Sequence, residues 1–244
     1  MTHEIQNFTF QNPTKILFGR NRIEDIDNEI PKDAKVLVLY GGGSVKKNGA
    51  FDRAVKALGN REWDEFSGIE ANPTFETLMK AVEKVRAGNF TYLLAIGGGS
   101  VIDGTKFVSA ASLFTEDPVD LFGWGVGKGL PVQEVVPFGT ILTLPATGSE
   151  MNSGAVITLV EKKAKVSFRG TKTFPVFSVL EPELTYTLPV RQLVNGLLDT
   201  FIHVMENYLT YPVGALLQDR YAESILQTLI EIAPRVIDTD HIDY

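Results

Sequence analysis

"YLLAIGGGSVIDG", residues 92–104, decides the fold. Tyr92–Ile96 is an unbroken apolar run of strand length, and Gly97, Gly98, Gly99 and Ser100 follow at its carboxyl end. A run with no polar alternation is the pattern of a strand buried on both faces, as in parallel sheets. Glycines at that end let backbone approach a ligand with no Cβ in the way, and a strand-to-helix turn aims free N–H groups outward. The same tetrapeptide recurs in LYGGGSVKKNG (39–49), after the run KVLVLY (35–40). Neither copy fits the fingerprints G-x-G-x-x-G or G-x-x-x-x-G-K-[ST]. One GGGS alone is equally well a tight turn with no ligand. Two of them, after two strands of one sheet, point to anion or nucleotide binding.

Working outward, EWDEFSGI (62–69) reads as a third strand of this set. GAFDRAVKALG (49–59) and TFETLMKAVEKVRAG (74–88) have helical periodicity, with Phe75, Leu78, Ala81, Val82 and Val85 at spacings of three and four. This β-α-β alternation predicts an α/β fold, a Rossmann-like open parallel sheet covered on both faces. ILTLPATGSE (141–150) adds a strand with a polar end. AVITLV (155–160), AKVSF (164–168) and VFSVL (176–180) add three more, the first two a hairpin over Glu161–Ala164. The texture changes at Pro189, after which residues 190–210 and 214–238 read as two long helices split by Tyr211–Gly214. The expected organisation is a nucleotide-binding α/β region over 1–188 and the start of a helical, metal-binding region over 189–244.

The 244 residues suffice for a sizeable core, and 44% apolar content with near-zero mean hydropathy describes a soluble globular chain. MTHEIQNFTF has neither a basic segment nor an apolar one of signal-peptide type, and no apolar run approaches a membrane span. The absence of cysteine excludes disulfide and thiolate chemistry. A cytoplasmic address follows as the expectation. With 23 basic and 30 acidic residues, a net charge of −7 and no basic block, nucleic acid is a poor partner.

An NAD-preferring site commonly places a carboxylate near the adenosine ribose. Residues 41–49 contain none and offer Ser44, Lys46 and Lys47, a setting suited to the 2′-phosphate of NADP, with solvated surface as the alternative reading of both lysines. Asp103 follows the second turn, where it either contacts the cofactor or stabilises the helix start. DTFIH (199–203) sets Asp199 and His203 on one helix face, beside an apolar stripe of Val194, Leu198, Phe201, Ile202 and Met205. The pair could donate one oxygen and one nitrogen to Fe²⁺ or Zn²⁺. On spacing alone a hydrogen-bonded Asp–His couple is the simpler reading, because catalytic zinc takes at least three protein ligands. The other two histidines, His3 and His241, make unpersuasive third ligands.

Together these segments resemble the iron-containing (group III) alcohol dehydrogenases, in the branch of NADPH-dependent aldehyde reductases and butanol dehydrogenases. The resemblance is carried by PTKILFG (13–19), YGGGSVKKNG (40–49), GIEANPTFETL (68–78), AIGGGSVIDGTKF (95–107), TLPATGSEMN (143–152) and residues 178–208. The last stretch is close to a family signature, with Glu181, Pro189, Gly196, Asp199 and Glu206 at its set intervals.

The resemblance implies a dehydroquinate synthase-like fold cut short, an α/β domain followed by the first helices of an all-α domain, with the active site between them. It implies an oxidoreductase moving hydride between NADP(H) and a primary alcohol or aldehyde held on a divalent metal. Asp199 and His203 match the first two of four metal ligands. The other two are histidines further downstream in longer family members, so metal binding here is expected to be weak and turnover doubtful. Gly42, Gly43 and Ser44 match the adenosine end of the cofactor site, with Gly42 where NAD-preferring relatives tend to have Asp. Gly98, Gly99 and Ser100 match the pyrophosphate turn. Asn72 and Asp103 join the cofactor contacts, Thr143, Thr147 and Ser149 line the cleft, and Lys165 matches a lysine close to the cofactor. No side chain matches a catalytic acid. The alternative expectation is a nucleotide-binding module without turnover. Glycerol dehydrogenase and dehydroquinate synthase share the architecture, but TLPATGSE and DTFIHVMENY argue against both. A homodimer is expected, with the strand around Ile16–Phe18 as a pairing edge.

Overall fold

The computed structural model describes residues 7–210 and 214–238. Along the chain run β1 (Lys15–Phe18), α1 (Ile26–Glu29), β2 (Val36–Tyr40), α2 (Ser44–Lys47), α3 (Ala50–Leu58), β3 (Trp63–Phe66), α4 (Phe75–Gly88), β4 (Tyr92–Gly98), α5 (Gly99–Leu113), β5 (Phe138–Leu144), β6 (Gly154–Leu159), β7 (Ala164–Arg169), β8 (Phe177–Leu180), α6 (Val190–Tyr208) and α7 (Leu216–Ile237). Six strands form one parallel sheet in the order β1-β8-β5-β4-β2-β3, with β1 at one edge as expected. The remaining two, β6 and β7, pair antiparallel as the expected hairpin. Its turn lies at 160–163 because Ala164 already pairs with Leu159, and Lys163 closes it in the left-handed region at φ 48°.

The unbroken apolar runs are explained by burial on both sides. Leu37, Leu39, Leu93 and Ala95 join one core with α4 and α5, through Leu78, Val82, Ile102 and Phe107. Val36, Val38, Tyr40, Leu94 and Ile96 face the opposite way, onto Ile26, Ala54 and Leu58 of α1 and α3. Alternate residues of each strand therefore feed opposite cores, and neither face has room for a polar residue. Phe107 anchors the first core, stacked on Phe122 at 5.6 Å and edge-on to Phe75 and Phe168. Glu181, the first residue of the 178–208 signature, is a structural staple. Its buried carboxylate accepts from the Arg22 and Ile23 N–H groups and from the Arg53 guanidinium, tying the end of β8 to α3.

Sheet order places the ligand end. From β2 the chain crosses outward to β3, and from β4 it crosses the other way to β5. The crevice between the carboxyl ends of β2 and β4 is thus the topological switch point where open parallel sheets bind ligands. Both GGGS turns end these two strands.

Helix begins directly after Pro189. Gly196 lets α6 approach the β5 end, since a Cβ there would lie 2.6 Å from the Pro145 carbonyl oxygen. The apolar stripe of α6 is only partly covered: Val194, Phe201 and Met205 are half-buried while Leu198 and Ile202 are 56% and 51% exposed, because α6 packs through its Gly196 face and against α7. Among the described residues no helix is long and apolar enough to cross a membrane.

Candidate cofactor cleft

A cleft of about 730 Å³ opens at the end of β4, walled by the start of α5, the segment leading into β6, the β6/β7 hairpin and α6. Its lining includes Asn72, Gly99, Ser100, Asp103, Thr147, Ser149, Lys165 and His203, eight of the residues expected at the site. Gly42, Gly43, Ser44, Gly98, Thr143 and Asp199 lie outside this lining. Gly98 is the residue from which α5 starts, Thr143 is buried near the end of β5, and Gly42–Ser44 occupy the neighbouring turn after β2.

The floor is built for close backbone approach. No side chain caps the first turn of α5, so its N–H groups have no side-chain acceptor from the N-cap. A Cβ on Gly99 would sit 2.5 Å from Thr147 Oγ1, so any other residue there would push the Thr147 side chain aside. Gly42 and Gly43 differ, because a Cβ at either meets nothing within 4 Å; Gly43 is needed instead for its φ of 93°.

Polar side chains are locked to one another around that floor. The Lys165 ammonium donates to Asn72 Oδ1 at 2.7 Å, and the Asn72 N–H donates to Ser100 Oγ at 3.3 Å. Ser149 Oγ donates to Asp103 Oδ1 at 2.5 Å, and the Val156 N–H donates to Asp103 Oδ2 at 2.9 Å. Burial pushes the Asp103 carboxyl above the ordinary carboxylate range, against the pull of the Ser149 hydroxyl and of Lys106. Asp103 therefore does more than stabilise a helix start; it ties α5 to the hairpin wall.

Two contributors escaped the sequence reading. Asn152 lines the cleft and ends the TLPATGSEMN segment. Lys106, completely buried, donates to Ser149 Oγ, Asn152 Oδ1 and the Gly154 carbonyl at 2.8, 2.9 and 2.8 Å. The available signal was a lone lysine in a stretch, 101–112, otherwise apolar or small apart from Asp103.

At the β2 turn one expectation needs correcting. Lys46 does not stand ready for a phosphate: its ammonium bonds Glu65 at 2.7 Å and lies over the Phe51 and Tyr40 rings at 4.5 and 5.2 Å. Donation to Glu65 first, and then to the Tyr40 hydroxyl oxygen, raises its pKa. Ser44 and Lys47 remain exposed at this turn.

On α6, His203 Nε2 is 3.7 Å from Asp199 Oδ2 and Nδ1 is 3.8 Å from Glu206 Oε2. Both distances exceed a hydrogen bond, so the simpler Asp–His couple is not formed. Both side chains are about half exposed, at 44% for Asp199 and 52% for His203, and His203 reaches the cleft wall. Their donors, one carboxylate and one imidazole on one helix face, fit part of the shell of Fe²⁺ or Zn²⁺. Among the described residues no group of three or more His, Cys, Asp or Glu is placed to hold an ion. His3 and His241 lie outside the described residues.

A profile of iron-containing alcohol dehydrogenases matches residues 13–182. The chain belongs to the iron-containing alcohol dehydrogenase family. It is 50% identical over 235 residues to the NADPH-dependent aldehyde reductase YqhD of Escherichia coli, covering 96% of this chain and 60% of that protein. A probable NADH-dependent butanol dehydrogenase of Bacillus subtilis is 42% identical, again over 96% of this chain and 60% of the relative. The crystal structure of Escherichia coli YqhD superposes with a TM-score of 0.90 at 48% identity, over 96% of this chain and 61% of that one. That of NADH-dependent butanol dehydrogenase A from Thermotoga maritima gives 0.89 at 36%, over 98% and 61%. This member of the family thus spans about 60% of the length of the relatives it matches.

Proposed function

We propose that this chain is the cofactor-binding part of an NADP(H)-dependent reductase that interconverts an aldehyde and a primary alcohol, with residues 1–188 as its nucleotide domain. The observation that carries the reading is one cleft at the carboxyl end of β4, beside the switch point, that gathers an uncapped helix start, the Gly99 turn, Asn72, Asp103, Thr147 and Lys165, with His203 also in its lining. The pyrophosphate is assigned to the first turn of α5, where N–H groups and the helix dipole favour an anion. Lys165 adds a cation, oriented by Asn72. Asp103 and Ser149, already bonded to each other, fix the wall against which the nicotinamide is held. The adenosine end is assigned to Gly42, Gly43 and Ser44. NADP is favoured there because Lys46 neutralises Glu65 on the neighbouring strand β3, while Ser44 and Lys47 stay open to a 2′-phosphate.

Asp199 and His203 would hold the divalent metal; when bound it supplies Lewis-acid polarisation of the substrate oxygen. Hydride transfer then depends on what this chain's residues do for the cofactor, holding its ring close to the carbonyl carbon and excluding water. No described side chain is assigned as proton donor.

A second reading, a nucleotide-binding module without turnover, is favoured by the partial ligand set among the described residues. Fluorescence titration with NADPH and with NADH, beside an aldehyde-reduction assay with added Fe²⁺ or Zn²⁺, separates the two. NADPH binding tighter than NADH, with turnover lost in Asp199→Ala, supports the reductase. Binding without turnover supports the module, and absence of nucleotide binding sinks both.

A further inference from the structure

We propose that Lys106 is the positioning residue of this cleft, clamping the Ser149–Gly154 segment onto α5 and taking up a proton when an anionic nucleotide enters; this rests on the cofactor reading above. The geometry is specific. The ammonium sits within α5, fully buried, and its three donors are used on three acceptors of the one segment that joins β5 to β6. Ser149, Asn152 and Gly154 all line the cleft, so the bonds that satisfy Lys106 also fix the wall. Ser149 Oγ relays the arrangement to Asp103, its hydroxyl proton engaged on Oδ1.

Charge is less well balanced than hydrogen bonding. The nearest carboxylate, Asp103, is 4.0 Å away and occupied by Ser149 and the Val156 N–H. Glu150 in the Ser149–Met151 turn also favours the ammonium, while Lys165 on β7 draws on Asp103 from across the cleft. His203 on α6 lines the far wall. Burial outweighs these attractions and pulls the Lys106 pKa down from 10.5 to about 8. Negative charge entering the cleft favours the charged form of a buried lysine behind its wall, so its proton is bound more tightly in the complex. Nucleotide affinity is then greatest below about pH 8 and falls as the pH rises through that value. The 2′-phosphate of NADPH titrates roughly two units lower, outside this window.

Calorimetric NADPH titrations of the full chain at pH 8, in two buffers of different ionisation enthalpy, read the proton directly, and dissociation constants from pH 7 to 9.5 read the linkage. The expected result is uptake of a fraction of a proton per nucleotide, with affinity falling by about tenfold for each pKa unit by which binding stabilises the ammonium. Lys106→Met should bind more weakly with no proton uptake. Lys106→Arg, permanently charged, should recover affinity with a flat pH profile. Should either variant fail to fold by circular dichroism, the wild-type buffer comparison still decides. Wild-type binding with no proton uptake, or a Met variant with the wild-type pH profile, overturns the role of Lys106 and leaves the cofactor reading intact. No NADPH binding at any pH overturns both.

Discussion

Phe107 and Ile230 are both large apolar residues in the middle of long helices, yet Phe107 is fully buried and Ile230 is 63% exposed. The contrast holds for their surroundings. The sheet with α1–α5 and the β6/β7 hairpin closes a core on each face, and every strand of β2 and β4 character is sealed. Among the described residues only Gly196 of α6 and Leu226 of α7 are buried, while Leu216, Leu217 and Tyr221 are more than 60% exposed. A parallel sheet is a two-sided template that its own crossovers cover, whereas a helix pair buries one stripe of each partner and leaves the rest to something else. The proposed nucleotide site therefore lies on the self-sufficient half, and Asp199 and His203, proposed as metal ligands, on the half that leans on it through Gly196.

The largest expected effect breaks this contrast if it fails. Phe107→Ala should cost about 3–5 kcal/mol in denaturant unfolding, while Ile230→Ser should change stability by less than about 0.5 kcal/mol. Next comes the buried charge. Because the folded pKa of Lys106, about 8, lies below its unfolded value near 10.5, the unfolded chain binds more protons between those limits. Wild-type stability relative to Lys106→Met should accordingly rise from pH 8 to pH 10, by on the order of 2 kcal/mol, and stay flat below pH 7. Gly99→Ala places a methyl against Thr147 and should weaken NADPH about tenfold, or about 1.4 kcal/mol, in a fluorescence titration that leaves the melting temperature nearly unchanged. The smallest effect sharpens the adenosine assignment. Gly42→Asp has open space for its side chain, so it should weaken NADPH about fivefold by repulsion of the 2′-phosphate and leave NADH equal or tighter.

Much of this was legible beforehand because parallel strands announce themselves. KVLVLY and YLLAIG have no polar position, and the glycines after them mark the strand ends that the switch point uses. The order of the strands is not written locally, so the meeting of Asn72, Thr147 and Lys165, 93 residues apart at the extremes, came from the family resemblance and not from spacing. The ion pair of Lys46 went unforeseen for the same reason. Its partner Glu65 is brought beside it by the parallel pairing of β2 with β3, which no short window reveals. The α6 stripe was read correctly as apolar, but periodicity reports a face and not what covers it.

Hydrogen exchange followed by mass spectrometry, with and without NADPH, tests the two-region account most directly. The account predicts slow exchange in β2, β4 and β5, added protection on NADPH confined to residues 97–106 and 147–156 and to the 41–46 turn, and fast, nucleotide-independent exchange across α7. Exchange in α7 as slow as in β4, or NADPH protection that bypasses the start of α5, would contradict it.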